Sequence, residues 1–286
     1  MQVKKKVSVN DILAAKGREK IAVLTAYDYS TALICDRAGL DILLVGDSAG
    51  MVVLGYTSTV PVGMLEMLML CRAVAKGAKR AMIVGDMPFG SYQPSPSVAV
   101  ENAVQLIKAG CDTVKLEGGL EIIGTIKAIV DAGIPVMGHI GLKPQTSSLW
   151  EGYRLQGRTK ESAMKLIVDA KALEKAGVCS IVLEMVASEV ASEITQSLSV
   201  PTIGIGSGAG CDGQVLVLHD MLGIYEDIKP KFVKRYAELS KSILDAISHY
   251  TNDVKAGKFP EEPNTFHMSP EELAGLRDAL RKTRKK

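Results

Sequence analysis

Aromatic residues are scarce in this 286-residue chain, 5% of the total with a single Trp, and no apolar run is long enough to cross a bilayer. A span needs roughly 18 to 20 uninterrupted apolar residues, so no membrane segment is expected. Paired cysteines are also missing. Cys35, Cys71, Cys111, Cys179 and Cys211 are odd in number and scattered among apolar neighbours, with no Cys-x-x-Cys. That pattern argues against a disulfide framework and fits reduced, buried thiols in a cytoplasmic chain. The basic run Lys4-Lys5-Lys6 has no apolar stretch behind it to act as a secretion leader. Nor is there an excess of either charge: 34 Lys and Arg stand against 32 Asp and Glu, a net +2. Such a balance supplies no field for nucleic acid or an anionic membrane, and neither is expected as a partner. The remainder, 47% hydrophobic and 23% charged, is ordinary globular usage, which leaves small-molecule chemistry as the working expectation.

What the chain does have is repetition. Short runs rich in Val and Ile recur at Ile21–Thr25, Ile42–Val45, Ala81–Val84, Thr113–Leu116, Pro135–Gly138, Ser180–Leu183, Thr202–Ile205 and Gln214–Leu218. They lack polar alternation, as strands buried on both faces of a parallel sheet do. Helical spacing of apolar residues appears between most of them, over Met64–Ala75, Ser97–Ala109, Leu120–Ala132, Glu161–Ala176 and Ser188–Leu198. An Ala-Gly pair recurs where such helices end, at Ala38-Gly39, Ala109-Gly110, Ala132-Gly133 and Ala176-Gly177. Eight strands with intervening helices predict an α/β fold, a (β/α)8 TIM barrel over about residues 20–225. The eighth strand is the weakest, because no helix precedes it. Residues 8–16 read as a short helix plugging the barrel bottom. Helical patterns over Phe232–Val254 and Pro270–Arg284 make a C-terminal extension of about residues 230–286 to a single domain, ending in the solvated basic tail Arg281–Lys286.

Charge falls where these strands end. The second runs into Gly46-Asp47-Ser48, the third into Gly85-Asp86-Met87, and the fourth carries Lys115-Leu116-Glu117. The fifth ends in Gly138-His139-Ile140-Gly141, and the sixth in Leu183-Glu184-Met185. In a barrel these ends converge on one mouth, where active sites are built. Asp47, Asp86 and Glu117 supply hard oxygen donors without Cys or a His pair, a set that suits Mg²⁺ better than zinc. A single acid at such a position is more often a helix cap; three on successive strands weaken that reading. Lys115 and Glu117, two apart on a strand, share a face about 7 Å apart and could pair. Lys115 suits a substrate anion. Glu184, alone in an apolar strand, is the best general base, since partial burial would raise its pKa; its bland alternative is an ion pair with Lys115. His139 is a substrate-contact candidate, with His219 weaker. The Gly204-x-Gly206-x-x-Ala209 match to a dinucleotide fingerprint lacks a following helix and is read as fortuitous. Tyr27, Phe89 and Tyr92 either stack on a ligand or line the core.

Together these segments resemble the ketopantoate hydroxymethyltransferase family. The likeness rests on Thr25-Ala26-Tyr27-Asp28, Gly46–Met51, Gly85–Tyr92, Lys115–Gly119, Gly138–Gln145 and Gly204–Val217, in that order. Lys143 stands where the family often has Thr, a peripheral departure. The resemblance implies a Mg²⁺-dependent barrel that moves a one-carbon unit from 5,10-methylenetetrahydrofolate to 3-methyl-2-oxobutanoate. The product would be 2-dehydropantoate, on the route to pantothenate and coenzyme A. Carried over, it implies Asp47, Asp86 and Glu117 on the metal and Ser48 and Lys115 at the oxo acid; Asp47, Asp86 and, from its own strand-end position, His139 are counted with them as substrate-binding candidates. It makes Glu184 the proton acceptor and implies a homodecamer. A 2-oxo acid can chelate Mg²⁺ through its carboxylate and keto oxygens, which would stabilise an enolate. The rival is a barrel of the phosphoenolpyruvate mutase and isocitrate lyase type; the Lys-Lys-Cys-Gly-His loop of its lyase branch is missing here.

Overall fold

The computed structural model describes residues 5–146 and 154–284; Lys4 of the basic run, and Lys285 and Lys286 of the basic tail, lie outside them. Among the described residues the strands are β1 (Ile21–Thr25), β2 (Ile42–Val45), β3 (Met82–Asp86) and β4 (Thr113–Glu117), then β5 (Val136–Gly141), β6 (Ser180–Glu184), β7 (Thr202–Ile205) and β8 (Gly213–Leu216). Each pairs in parallel with the next, and β8 pairs with β1, from Ile21 opposite Gly213 to Leu24 opposite Leu216. The sheet is therefore closed, and the expected (β/α)8 barrel is the fold. β8, the weakest strand in the sequence, is what closes it.

The helices are α1 (Val9–Ala15), α2 (Tyr29–Ala38), α3 (Ala49–Val52), α4 (Met64–Gly77), α5 (Pro96–Lys108) and α6 (Ile123–Asp131). They continue with α7 (Lys160–Ala176), α8 (Ser188–Ser197), α9 (Leu218–Met221), α10 (Leu239–Lys255) and α11 (Pro270–Thr283). The Ala-Gly junctions close α2 and α7 with left-handed caps at Gly39 and Gly177. Two differences from the sequence reading stand out. The apolar spacing does not single out α2, and the helix expected from Phe232 begins only at Leu239. The N–H of Tyr236 goes to the carbonyl of Met221, 2.8 Å away, a partner no continuous helix would give it. The chain divides into two compact units, residues 1–237 with the barrel and residues 238–286 with α10 and α11.

Two apolar layers hold the barrel unit. One lies between strands and helices, where the outward side chains of the sheet meet α2, α4, α5, α6, α7 and α8. The other fills the barrel itself: Val23, Leu44, Val84, Met137, Val182 and Ile203 point inward and meet Ile12 and Ala15 of α1. α1 thus plugs the floor, as its position in the sequence suggests. Its start is fixed by a reciprocal cap in which Ser8 and Asp11 each bond the other's backbone N–H. All five cysteines are free and buried. No helix of the described residues is long and apolar enough to cross a membrane.

Candidate active site

Side chains on a strand alternate between faces, so every second residue of a barrel strand enters the interior. On β3 the inward series is Met82, Val84, Asp86; on β5 it is Met137, His139; on β6 it is Val182, Glu184. Apolar residues fill the lower levels, and the top level turns polar. That change of polarity at the C-terminal ends builds the site, and the strand register decides which groups meet. Asp86 is the register partner of Lys115, and Glu117 that of His139. The Lys115 ammonium accordingly sits 2.6 Å from Asp86 Oδ1, not on Glu117 two residues along its own strand. Glu117 Oε1 is 3.5 Å from His139 Nδ1, and Glu184 Oε2 is 3.3 Å from His139 Nε2. The alternative of a Glu184–Lys115 pair gives way to Glu184–His139.

Asp47 arrives from the turn after β2. Its backbone N–H donates to Asp86 Oδ2 at 3.4 Å, and its Oδ2 accepts from Gln145 Nε2 at 3.0 Å. Gln145, which the sequence reading passes over inside a quoted segment, is the organiser of this corner. Its amide N–H₂ also donates to the Met87 carbonyl, its side-chain oxygen accepts from the Tyr92 hydroxyl, and its backbone N–H donates to Glu117 Oε2. Tyr92 is therefore a buried strut, not a ligand platform. Ser48 Oγ lies 2.9 Å from the Tyr27 hydroxyl, and Tyr27 too is buried. Phe89 is partly exposed, and none of these three aromatics lines the cavity.

The charges in this cluster distort one another. Burial, then the charges of Asp86 and Glu117, hold Asp47 well above the ordinary carboxylate range. Burial also raises Asp86, against the opposing pull of Lys115. For Lys115 burial works against the ammonium, but Asp86, Glu117 and Asp47 outweigh it and the pKa rises. Burial and Lys115 press His139 down, yet its bonds to Glu117 and Glu184 win and carry it up to about 9. Glu117 moves the other way: burial raises it, and His139, Lys115 and the Gln145 N–H together bring it below its usual value. His139 is thus pushed toward its charged form, although its Nδ1 also lies 3.5 Å from the Lys115 ammonium.

These residues floor a cavity of about 320 Å³ whose walls are mainly apolar. The side chains of Asp86, Lys115 and His139 are 2%, 5% and 2% exposed, whereas Glu184 is 15% exposed, which makes it the acid with access to a ligand. The residue after it, Met185, lines the cavity at φ 47°, a left-handed conformation costly for a side chain with a Cβ. Gly141, the register partner of Glu184, lets the two strand ends meet: a Cβ there would overlap the Glu184 carbonyl.

A family model described as Ketopantoate hydroxymethyltransferase matches residues 6–262 of the sequence. The chain belongs to the ketopantoate hydroxymethyltransferase family. A 3-methyl-2-oxobutanoate hydroxymethyltransferase of Nitrosopumilus maritimus (strain SCM1) is 58% identical over 274 residues, covering 96% of this chain and 98% of its own length. One from Staphylothermus marinus (strain ATCC 43588 / DSM 3639 / JCM 9404 / F1) is 56% identical over 262 residues, with 92% and 96% covered. Among solved structures, a phosphonopyruvate hydrolase aligns with a TM-score of 0.61 at 13% identity, over 97% of both chains. A 2,3-dimethylmalate lyase of the phosphoenolpyruvate mutase and isocitrate lyase superfamily aligns at 0.56 and 14% identity, over 97% of this chain and 98% of its own. At such identity the likeness is one of fold. The chain is an enzyme of the hydroxymethyltransferase class, and its strand-end residues share one mouth. Asp47, Ser48, Asp86, Lys115, Glu117, His139 and Glu184 all line one cavity. Its Gly206 turn leads into β8 with no helix between, so the dinucleotide-like match has no dinucleotide-binding geometry.

The expected metal donors differ in what they offer. Glu117 has both oxygens engaged, by His139 and by the Gln145 N–H. Asp86 Oδ1 is buried, and Lys115 approaches it as an ion without hydrogen-bond alignment. Among the described residues no three His, Cys, Asp or Glu side chains form a ready metal cage. Three buried carboxylates, Asp47, Asp86 and Glu117, nevertheless crowd together with the partly exposed Glu184 nearby, and a hard dication on Asp47 and Asp86 would relieve the burial and mutual repulsion that raise their pKa values.

Proposed function

We propose that this barrel transfers a hydroxymethyl group from 5,10-methylenetetrahydrofolate to 3-methyl-2-oxobutanoate, forming 2-dehydropantoate for pantothenate biosynthesis. The observation that carries the reading is Glu184, a partly exposed carboxylate opening on an apolar cavity beside the Lys115–Asp86 pair. Mg²⁺ fits Asp47 and Asp86, with Glu117 beside them, and when bound would supply a Lewis acid for the carboxylate and keto oxygens of the oxo acid. Two donors from the protein would leave room for water and a chelating substrate.

The chain's own residues would do the rest. Lys115 and the Ser48 hydroxyl hold and neutralise the oxo acid at the cavity floor. Glu184 takes the C3 proton, and His139, with its Nε2 3.3 Å from Glu184 Oε2, aims it. The electron pair of the broken C3–H bond forms the new C–C bond to the methylene carbon of the donor as the first of that carbon's two C–N bonds breaks, and the freed nitrogen takes the proton that left C3. Water then adds its oxygen to that carbon as the second C–N bond breaks, one proton of the water goes to that nitrogen, and tetrahydrofolate is released. The apolar walls exclude other water, which would protonate the carbanion before it reacts.

Enzyme with Mg²⁺, 3-methyl-2-oxobutanoate and methylenetetrahydrofolate should consume both organic substrates in equal amounts. With the oxo acid alone in D₂O it should exchange the C3 hydrogen. Glu184→Gln should bind the oxo acid and lose that exchange, read by NMR; exchange at the wild-type rate in the variant would remove Glu184 as the base.

A further inference from the structure

Besides the residues that would hold the oxo acid, the cavity has a second set of lining residues, its upper chamber, contributed by the chain after β8. That part has a composition of its own. Tyr225, Ile228, Pro230 and Phe232, from the segment after α9, wall it with apolar surface, and Lys231 and one carboxylate, Asp220 of α9, are set among them. Among the described residues the Asp220 carboxylate accepts no hydrogen bond and makes no ion pair. It is half-buried, and that burial, opposed by the charge of Arg235, pushes its pKa up to about 6. Asp220 takes no part in the chemistry derived above.

The same region explains why the helix expected from Phe232 starts late. Phe232 is not a helix residue but a wall of the cavity: its ring lies against Gly206, where an added Cβ would come within 2.9 Å of it. Gly206 itself stands at φ 65°, so both space and backbone favour glycine there. Phe232 thereby presents an aromatic side chain to the cavity that Asp220 also lines.

We propose that this upper chamber binds the bicyclic ring of the one-carbon donor, with the Asp220 carboxylate accepting hydrogen bonds from the donor's amino group and adjacent ring N–H. This rests on the donor being a reduced folate, as in the function proposed above. A 2-amino-4-oxo pteridine presents two parallel N–H donors on one edge, which a carboxylate accepts in bidentate fashion, and flat faces that apolar and aromatic walls sandwich. A carboxylate in an apolar wall is costly unless a ligand brings donors to it, and this ligand edge brings two. Asp220 is then a specificity-determining residue, while the chemistry stays at Glu184.

The test uses the whole enzyme. Tetrahydrofolate binding is measured by calorimetry for wild type, Asp220→Ala and Asp220→Asn, alongside C3 exchange of the oxo acid in D₂O, which needs no folate. Loss of a charge-assisted pair should weaken tetrahydrofolate binding roughly tenfold to a hundredfold in Asp220→Ala, with exchange unchanged. An analogue carrying methyl in place of the 2-amino group should bind wild type more weakly than tetrahydrofolate, and bind Asp220→Ala as well as tetrahydrofolate does. Unchanged tetrahydrofolate affinity in both variants, or equal discrimination against the analogue in wild type and Asp220→Ala, overturns the placement. Wild type that exchanges C3 hydrogen yet binds no tetrahydrofolate overturns the donor assignment and this placement with it.

Discussion

Lys115 shows how much of the site depends on one charge. Its ammonium is 5% exposed and has three carboxylates around it, Asp86 at 2.6 Å and Glu117 and Asp47 acting alongside. Replacing a buried ion pair wholesale can be neutral, but removing one partner strands the other. Lys115→Met in metal-free protein should therefore cost about 3 to 5 kcal/mol in urea unfolding, because Asp86 loses its counter-charge. A loss below about 1 kcal/mol, the range of exposed pairs, would mean that Asp86 is neutral without metal. The strand-end acids, Lys115 and His139 were legible as residues of one mouth. Their pairings were not, because two-residue spacing on a strand predicts Lys115 with Glu117, and only the register between neighbouring strands puts Lys115 opposite Asp86. Gln145 was missed for a related reason: an amide carries no charge signal, and its role appears only when Asp47, Met87, Tyr92 and Glu117 surround it.

At the scale of elements, the junctions between helices and strands are tied by side chains. Asp36, near the end of α2, accepts the N–H groups of Lys79, Arg80 and Ala81 at 3.0, 2.9 and 2.7 Å, which fixes the chain just ahead of β3. Burial raises its pKa, but these three N–H bonds and the charge of Arg80 outweigh it and leave it below the ordinary 3.8. The stability it gives is complete above 3.8 and is lost as pH falls through the lower folded value. Asp36→Ala should cost about 1 to 3 kcal/mol at neutral pH, with the gap to wild type closing in acid. A gap that stays constant with pH would show that the carboxylate charge is not what matters. The strands themselves were readable almost to the residue, β1, β2 and β7 fully so, because each is an unbroken run of mostly apolar residues, as β2, buried on both faces, must be. α2 escaped because Ala32, Leu33, Ile34 and Cys35 run consecutively without helical spacing, and Ile34 is exposed. The segment from Phe232 misled because its apolar residues keep a helical rhythm while Phe232 serves the cavity wall.

Across the barrel unit, stability and chemistry occupy opposite ends. Ile12 of α1 is 2% exposed and packs into the lower interior, far along the strands from the carboxylates. Ile12→Ala should lower unfolding stability by about 2 to 5 kcal/mol and leave the rate of C3 exchange near wild type. Exchange that falls in step with stability would show that the two ends are mechanically linked. The sealed floor has a further effect on traffic. A cul-de-sac has one door, so two guests that sit one behind the other cannot come and go independently. With the oxo acid seated behind the donor, as proposed above, the molecule at the back would have to enter first and leave last, and turnover would acquire a compulsory order.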